Sequence, residues 1–140
     1  MGGVGYARAI HEELSFLQEQ ADLKFVARGI CMSAAITIAM AFPKERRFAT
    51  SRAKFLIHQG SRSSNSQLVG TVSEREMQLK RIIADFEDDK KEEEWVMRVI
   101  AKGCNQPLRE VKKQSTGGLY LIGQKAVEWG LVGSLLSKAA

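Results

Sequence analysis

The chain has 140 residues, 44% of them hydrophobic and 26% charged, with a formal net charge of +5. That size fits one α/β-sized domain and excludes two, and the balance is that of an ordinary globular protein rather than a disordered or fibrous one. The basic excess is scattered, without aromatic interleaving or a nucleic-acid motif, so a solvated surface explains it better than nucleic-acid binding.

Residues 1–5 hold Gly2, Gly3 and Gly5, which permit positive φ and the close approach of another chain. From residue 6 to 20, Ala7, Ile10, Leu14 and Leu17 recur at helical spacing. His11, beside Glu12 and Glu13, falls off that stripe and reads as a surface residue. Residues 24–27 read as a short strand ended by Gly29. Ser33 then opens an apolar helix over residues 34–41, buried on every side because no face of it is polar. Pro43 and the charged residues 44–47 close it, and residues 48–50 and 54–58 read as two further strands.

Residues 61–70 are polar and irregular, a loop or a weak edge strand. Ser73 and Glu76 form an S-x-x-E capping box that opens a long helix. Leu79, Ile82, Ile83 and Phe86 make one apolar stripe on it, and Trp95, Val96, Val99 and Ile100 another. Between them, residues 87–94 are all charged. This run is expected to stand in water and close to an oligomer contact. Asn105 is suited to end the helix and Pro107 to begin the next, with Leu108 and Val111 facing inward. Residues 119–122 read as a strand, 124–129 as a short helix stopped by Gly130, and 131–136 as a last strand. Strands alternating with helices predict an α/β fold with a mostly parallel sheet.

Cys31 and Cys104 form neither a disulfide framework nor a CxxC pair, and two histidines are too few for a zinc cluster. A reducing, cytoplasmic setting is the expectation. No basic-then-apolar leader opens the sequence, and the longest apolar run is too short to span a bilayer. No nucleotide-binding motif occurs, and no cofactor is expected.

A serine at the start of a buried helix, after a strand and a glycine, sits where helix N–H groups favour negative charge. Serine is also a common N-cap, so this feature alone does not identify a nucleophile. His58 ends an apolar strand at the entry to a loop, where sites tend to gather. Cys31 is the alternative nucleophile, but a buried cysteine ordinarily behaves as a small hydrophobe.

Together these residues resemble a known family. Gly29-Ile30-Cys31-Met32-Ser33-Ala34-Ala35 resembles the nucleophile segment of the Clp protease proteolytic subunit (ClpP) family, and the 25-residue interval from Ser33 to His58 matches it without a gap. Lys44-Glu45-Arg46-Arg47-Phe48 resembles the family's basic turn, and Phe55-Leu56-Ile57-His58-Gln59 its histidine strand. Gly2-Gly3-Val4 resembles its glycine pair, and residues 125–132 its closing helix and strand.

The resemblance implies a Clp/crotonase-type fold with one long protruding helix, and a serine endopeptidase acting on unfolded chains or short peptides. Ser33 would be the nucleophile and His58 the general base, and the N–H groups of Gly3 and Ala34 the oxyanion hole. Residues 60–68 would border a groove for an extended peptide. It also implies a homo-oligomeric ring, stacked through the long helix and fed by an ATP-driven unfoldase.

Three departures qualify it. The family's catalytic aspartate falls on Gly118, and its closing aspartate on Gly133. The chain also begins almost on the glycine pair, so it is expected to lack the family's first strands and to form a single domain over residues 1–140. The glycines favour a rival reading, a non-enzymatic subunit acting in assembly or regulation. A crotonase-like acyl-CoA enzyme is the other rival, disfavoured by the Ser33–His58 spacing. Without an aspartate, Gln114, Ser115, Thr116 or a backbone carbonyl is left to orient His58.

Overall fold

The computed structural model describes residues 3–60 and 67–136. The chain opens with helix α1 (Gly3–Leu17), then strands β1 (Phe25–Ala27) and β2 (Ile30–Met32) and helix α2 (Ala34–Ala39). Strands β3 (Arg47–Ala49) and β4 (Lys54–Ile57) precede the long helix α3 (Val72–Cys104). Helix α4 (Leu108–Gly117), strand β5 (Leu119–Ile122), helix α5 (Gln124–Trp129) and strand β6 (Ser134–Leu135) complete the described chain. The strands form two three-stranded sheets, β1-β3-β6 and β2-β4-β5. Among the described residues three of the four pairings are parallel, and only β4 with β5 is antiparallel. The expected α/β class with mostly parallel pairing is therefore observed.

Each strand of the second sheet turns one face to the core and one outward. Cys31, Phe55, Ile57 and Leu121 point in, against Ile36 and Met40 of the α2 segment, Met97, Ile100 and Cys104 of α3, and Val111 of α4. Phe55 is fully buried, and a side chain of that size contributes about 1.5–3 kcal/mol when taken from water. Ile30, Met32, Tyr120 and Ile122 face outward and are exposed. β2 was not anticipated from the sequence. It is three residues long and runs straight into an apolar helix, so no alternation marks it.

α3 has 33 residues, about 50 Å of helix at 1.5 Å per residue. Its cap differs from the expected one. The capping box is Thr71 with Glu74, not Ser73 with Glu76: the Glu74 amide donates to Thr71 Oγ1 at 3.3 Å, and the Thr71 amide donates to the Glu74 carboxylate at 2.7 Å. Two overlapping S/T-x-x-E patterns exist, and the earlier one wins because the helix begins at Val72. Asn105 ends it in the left-handed conformation, φ 52°.

The charged middle also divides. Residues 87–91 are exposed, but Glu92, Glu93 and Glu94 are half-buried. Glu92 pairs with Arg8 of α1 at 2.7 Å, and Glu94 pairs with Arg98 at 2.9 Å and with Lys112 of α4. The run is therefore not free along its whole length for an oligomer contact; its end ties α3 to two neighbours within the same chain.

Arg47 is completely buried and has no carboxylate partner among the described residues. Its guanidinium donates to the carbonyls of Gly103, near the end of α3, and Gly130, which caps α5. Two helix C-termini thus supply the negative potential that offsets the charge. No helix among the described residues is long and apolar enough to cross a membrane.

Candidate active site

The parallel pairing of β2 with β4 sets Met32 opposite Leu56, and the Ser33 amide donates to the Leu56 carbonyl at 3.4 Å. Ser33 therefore leaves β2 at the same edge where β4 ends and His58 follows. β4 and β5 pair antiparallel with Ile57 opposite Leu119 as the last pair, and His58 and Gly118 are the residues just beyond it. Positions 33, 58 and 118 thus converge on one edge of one sheet, at the carboxyl ends of its parallel strands, where open α/β sheets place their ligands. Strand alternation carries Leu56 and His58 to one face of β4. A Cβ added at Gly118 would meet Leu56 Cδ1 at 3.5 Å, on that same face.

Ser33 is exposed and adopts φ 54°, ψ −122°, a conformation L-residues rarely take. The cause is a sharp strand-to-helix turn in which α2 starts at the very next residue. Ser33 occupies the N-cap position of α2, but its hydroxyl makes no capping bond, so the side chain is not engaged in holding the helix. A non-glycine residue held this way costs roughly 1–3 kcal/mol and marks a functional candidate. Ala34, the second expected oxyanion donor, is the first residue of α2, and Gly3 is the first residue of α1. Gly2 and residues 61–66, most of the expected peptide groove, lie outside the described residues.

His58 is half-buried, and its Nδ1 lies 2.8 Å from the Gln59 carbonyl oxygen. A carbonyl only accepts, so Nδ1 carries a proton, which in the neutral ring leaves the lone pair on Nε2. The Gln59 amide in turn donates to the carbonyl of Ser115 at 3.2 Å, which anchors this turn on the end of α4. Of the neutral groups considered from sequence, the backbone carbonyl is the one that meets His58. Gln114 is engaged with Glu110 and Trp129, and the Ser115 and Thr116 hydroxyls bond the Lys112 carbonyl. Among the described residues no hydrogen bond joins Ser33 Oγ to His58, as is common before substrate tightens such a site.

The two departures have separate structural reasons. Gly118 has φ 82°, so the backbone there disfavours any side chain although space exists for one. A Cβ at Gly133 would collide with the Lys44 carbonyl oxygen. Burial pushes the Cys31 thiol up to about 11, so it stays protonated and is a poor rival to Ser33 as nucleophile.

The family model for Clp protease matches residues 2–139. The chain belongs to the Clp protease family. It is 29% identical over 139 residues to ATP-dependent Clp protease proteolytic subunit 3 of Rhizobium johnstonii, covering 99% of this chain and 65% of that protein. It is 23% identical over 137 residues to the ATP-dependent Clp protease proteolytic subunit of Ligilactobacillus salivarius, covering 96% of this chain and 62% of that one. The chain therefore spans slightly less than two-thirds of the length of these Clp relatives. Among solved structures, a ClpP1 mutant from Listeria monocytogenes superposes with a TM-score of 0.79 at 23% identity, over 98% of this chain and 68% of that one. That likeness establishes the Clp protease fold.

Proposed function

We propose that this chain is a Clp-type serine endopeptidase in which Ser33 attacks and His58 is the general base. Ser33 Oγ adds to the scissile carbonyl while His58 Nε2 takes its proton. The same imidazolium then returns the proton to the leaving amine, and water repeats the cycle on the acyl-enzyme. The N–H groups of Gly3 and Ala34 receive the developing oxyanion. The observation that carries this reading is the strained Ser33 turn at the sheet edge shared with His58.

The Gln59 carbonyl fixes the productive tautomer of His58 but, being neutral, stabilises the imidazolium less than a carboxylate would. The expected enzyme is therefore slow and acts on short peptides and unfolded chains. A single domain, assembly into a homo-oligomeric ring, and supply by an ATP-dependent unfoldase belong to the same proposal, as does a cytoplasmic setting.

Gly118 supports a second reading, a subunit that assembles without cutting, because its φ of 82° is unsuited to the family's aspartate. Hydrolysis of a fluorogenic peptide by wild type and Ser33→Ala separates the two. Loss of activity in Ser33→Ala supports the peptidase, and equal rates support the non-enzymatic subunit.

A further inference from the structure

His11, which reads from sequence as a surface residue, is half-buried, and its Nδ1 lies 2.8 Å from the backbone carbonyl oxygen of Thr37. The reason lies in α2. In a continuing helix the Ala41 amide would bond the Thr37 carbonyl, but it donates instead to Ile38 O at 3.1 Å as the last turn tightens. Thr37 is 2% exposed, so its carbonyl needs a donor from elsewhere in the protein. The His11 ring supplies it, with Nδ1 protonated. The other side of the ring is fixed as well, edge-on to Trp95 of α3 with centroids 5.4 Å apart. Arg8, one turn earlier on α1, covers the same indole at 4.7 Å and pairs with Glu92.

We infer that His11 is a positioning residue, a clasp that fixes α1 on α2 and so sets Gly3 relative to Ser33. Thr37 lies four residues, about one helical turn, beyond Ser33. Gly3 begins the helix that bears His11, eight residues earlier and about 12 Å along the axis. α2 is only six residues long, so a single anchor on its last turn bears on the orientation of its first. The oxyanion donors assigned to Gly3 and Ala34 belong to these two helices, and misplacement of such donors by about 1 Å is costly. The catalytic consequence rests on the peptidase reading; the clasp itself rests on the His11–Thr37 contact.

The test compares His11→Phe, which keeps a ring beside Trp95 but has no donor, with His11→Asn, whose amide nitrogen stands near the position of Nδ1. Each is assayed for kcat and KM on a fluorogenic peptide, at a temperature where circular dichroism shows the variants folded. Amide hydrogen exchange over residues 3–17 is measured alongside. The clasp predicts that His11→Phe lowers kcat roughly tenfold or more with KM nearly unchanged and speeds exchange in α1 by a similar factor, while His11→Asn restores both. Wild-type behaviour in both variants, or equal losses in both, overturns it. Should His11→Phe not fold, His11→Gln replaces it, since its amide reaches the Nε2 position instead; Asn and Gln behaving alike then overturns the clasp. If wild type hydrolyses no peptide, the peptidase reading fails by itself. Exchange then decides the clasp: faster in Phe than in Asn supports it, and equal rates overturn it.

Discussion

Restoring a carboxylate at Gly118 sets two effects of known size against each other. The backbone there has φ 82° and ψ 118°, which an L-residue adopts at a cost of about 1–3 kcal/mol. For a chain of this length that lowers Tm by roughly 3–12 °C. Sterically the site is open, since the nearest atom to an added Cβ is Leu56 Cδ1 at 3.5 Å. His58 and Gly118 are the residues next beyond the last pair of the β4–β5 register, Ile57 with Leu119. In serine proteases of another fold, replacing the triad carboxylate by its amide lowers kcat by ~10⁴, about 5 kcal/mol of barrier.

The strain acts on folding stability and the carboxylate on the barrier, so the two effects are read in separate assays. Gly118→Ala carries the strain without the acceptor and isolates the two. Both variants are expected to lose similar Tm in thermal denaturation. In a fluorogenic peptide assay, Gly118→Asp should exceed Gly118→Ala in kcat by at least ~10². Equal kcat in the two variants would refute the placement of position 118 beside His58. An unchanged Tm in Gly118→Ala would refute the argument from backbone strain.

Burial raises the thiol of Cys31 to about 11 and that of Cys104 to about 12, so neither should react with a thiol reagent at neutral pH until the chain is unfolded. Because these pKa values lie above that of an unfolded thiol, near 9.0, their contribution to stability is whole below pH 9 and is lost as pH rises through 11 to 12. Denaturant midpoints measured from pH 8 upward should fall accordingly, and fall less in a Cys104→Ala background. Thr71→Ala removes the N-cap of α3 and should cost about 1 kcal/mol of local helix stability, seen as faster amide exchange over residues 72–75. Arg47→Met strips the donor from the buried carbonyls of Gly103 and Gly130 and should destabilise the fold by about 3 kcal/mol in urea denaturation.

Much of this architecture was legible where local signals and tertiary packing agree. β5 and α5 occupy the residues anticipated for them, because Gly118 and Gly123 bracket an apolar strand and Gly130 stops the helix in a left-handed cap. β6 was overextended: Leu131 and Val132 are apolar because they fill the core, and only Ser134 and Leu135 pair with β3. α1 begins at Gly3 rather than Tyr6, so Gly3 and Gly5 lie within its first turn.

At the candidate site, Ser33 and His58 could be named from their residue types and interval, but their common sheet edge depends on the register of three strands. The support for His58 was even less visible. A backbone carbonyl leaves no mark in side-chain chemistry, so Gln59 and its anchor on Ser115 could not be singled out beforehand. His11 was misread for a similar reason. Its partner is the freed carbonyl of a helix 26 residues away, which neither periodicity nor charge reveals.

The central claim is that Ser33 is a nucleophile activated by His58. The most direct measurement is the labelling of the folded chain by a fluorophosphonate, with the adduct mapped by peptide mass spectrometry. The account predicts one adduct, on Ser33, absent from Ser33→Ala and formed at least ~10²-fold more slowly in His58→Ala. Labelling that persists undiminished in Ser33→Ala, or wild-type chain left unlabelled at Ser33, would contradict it.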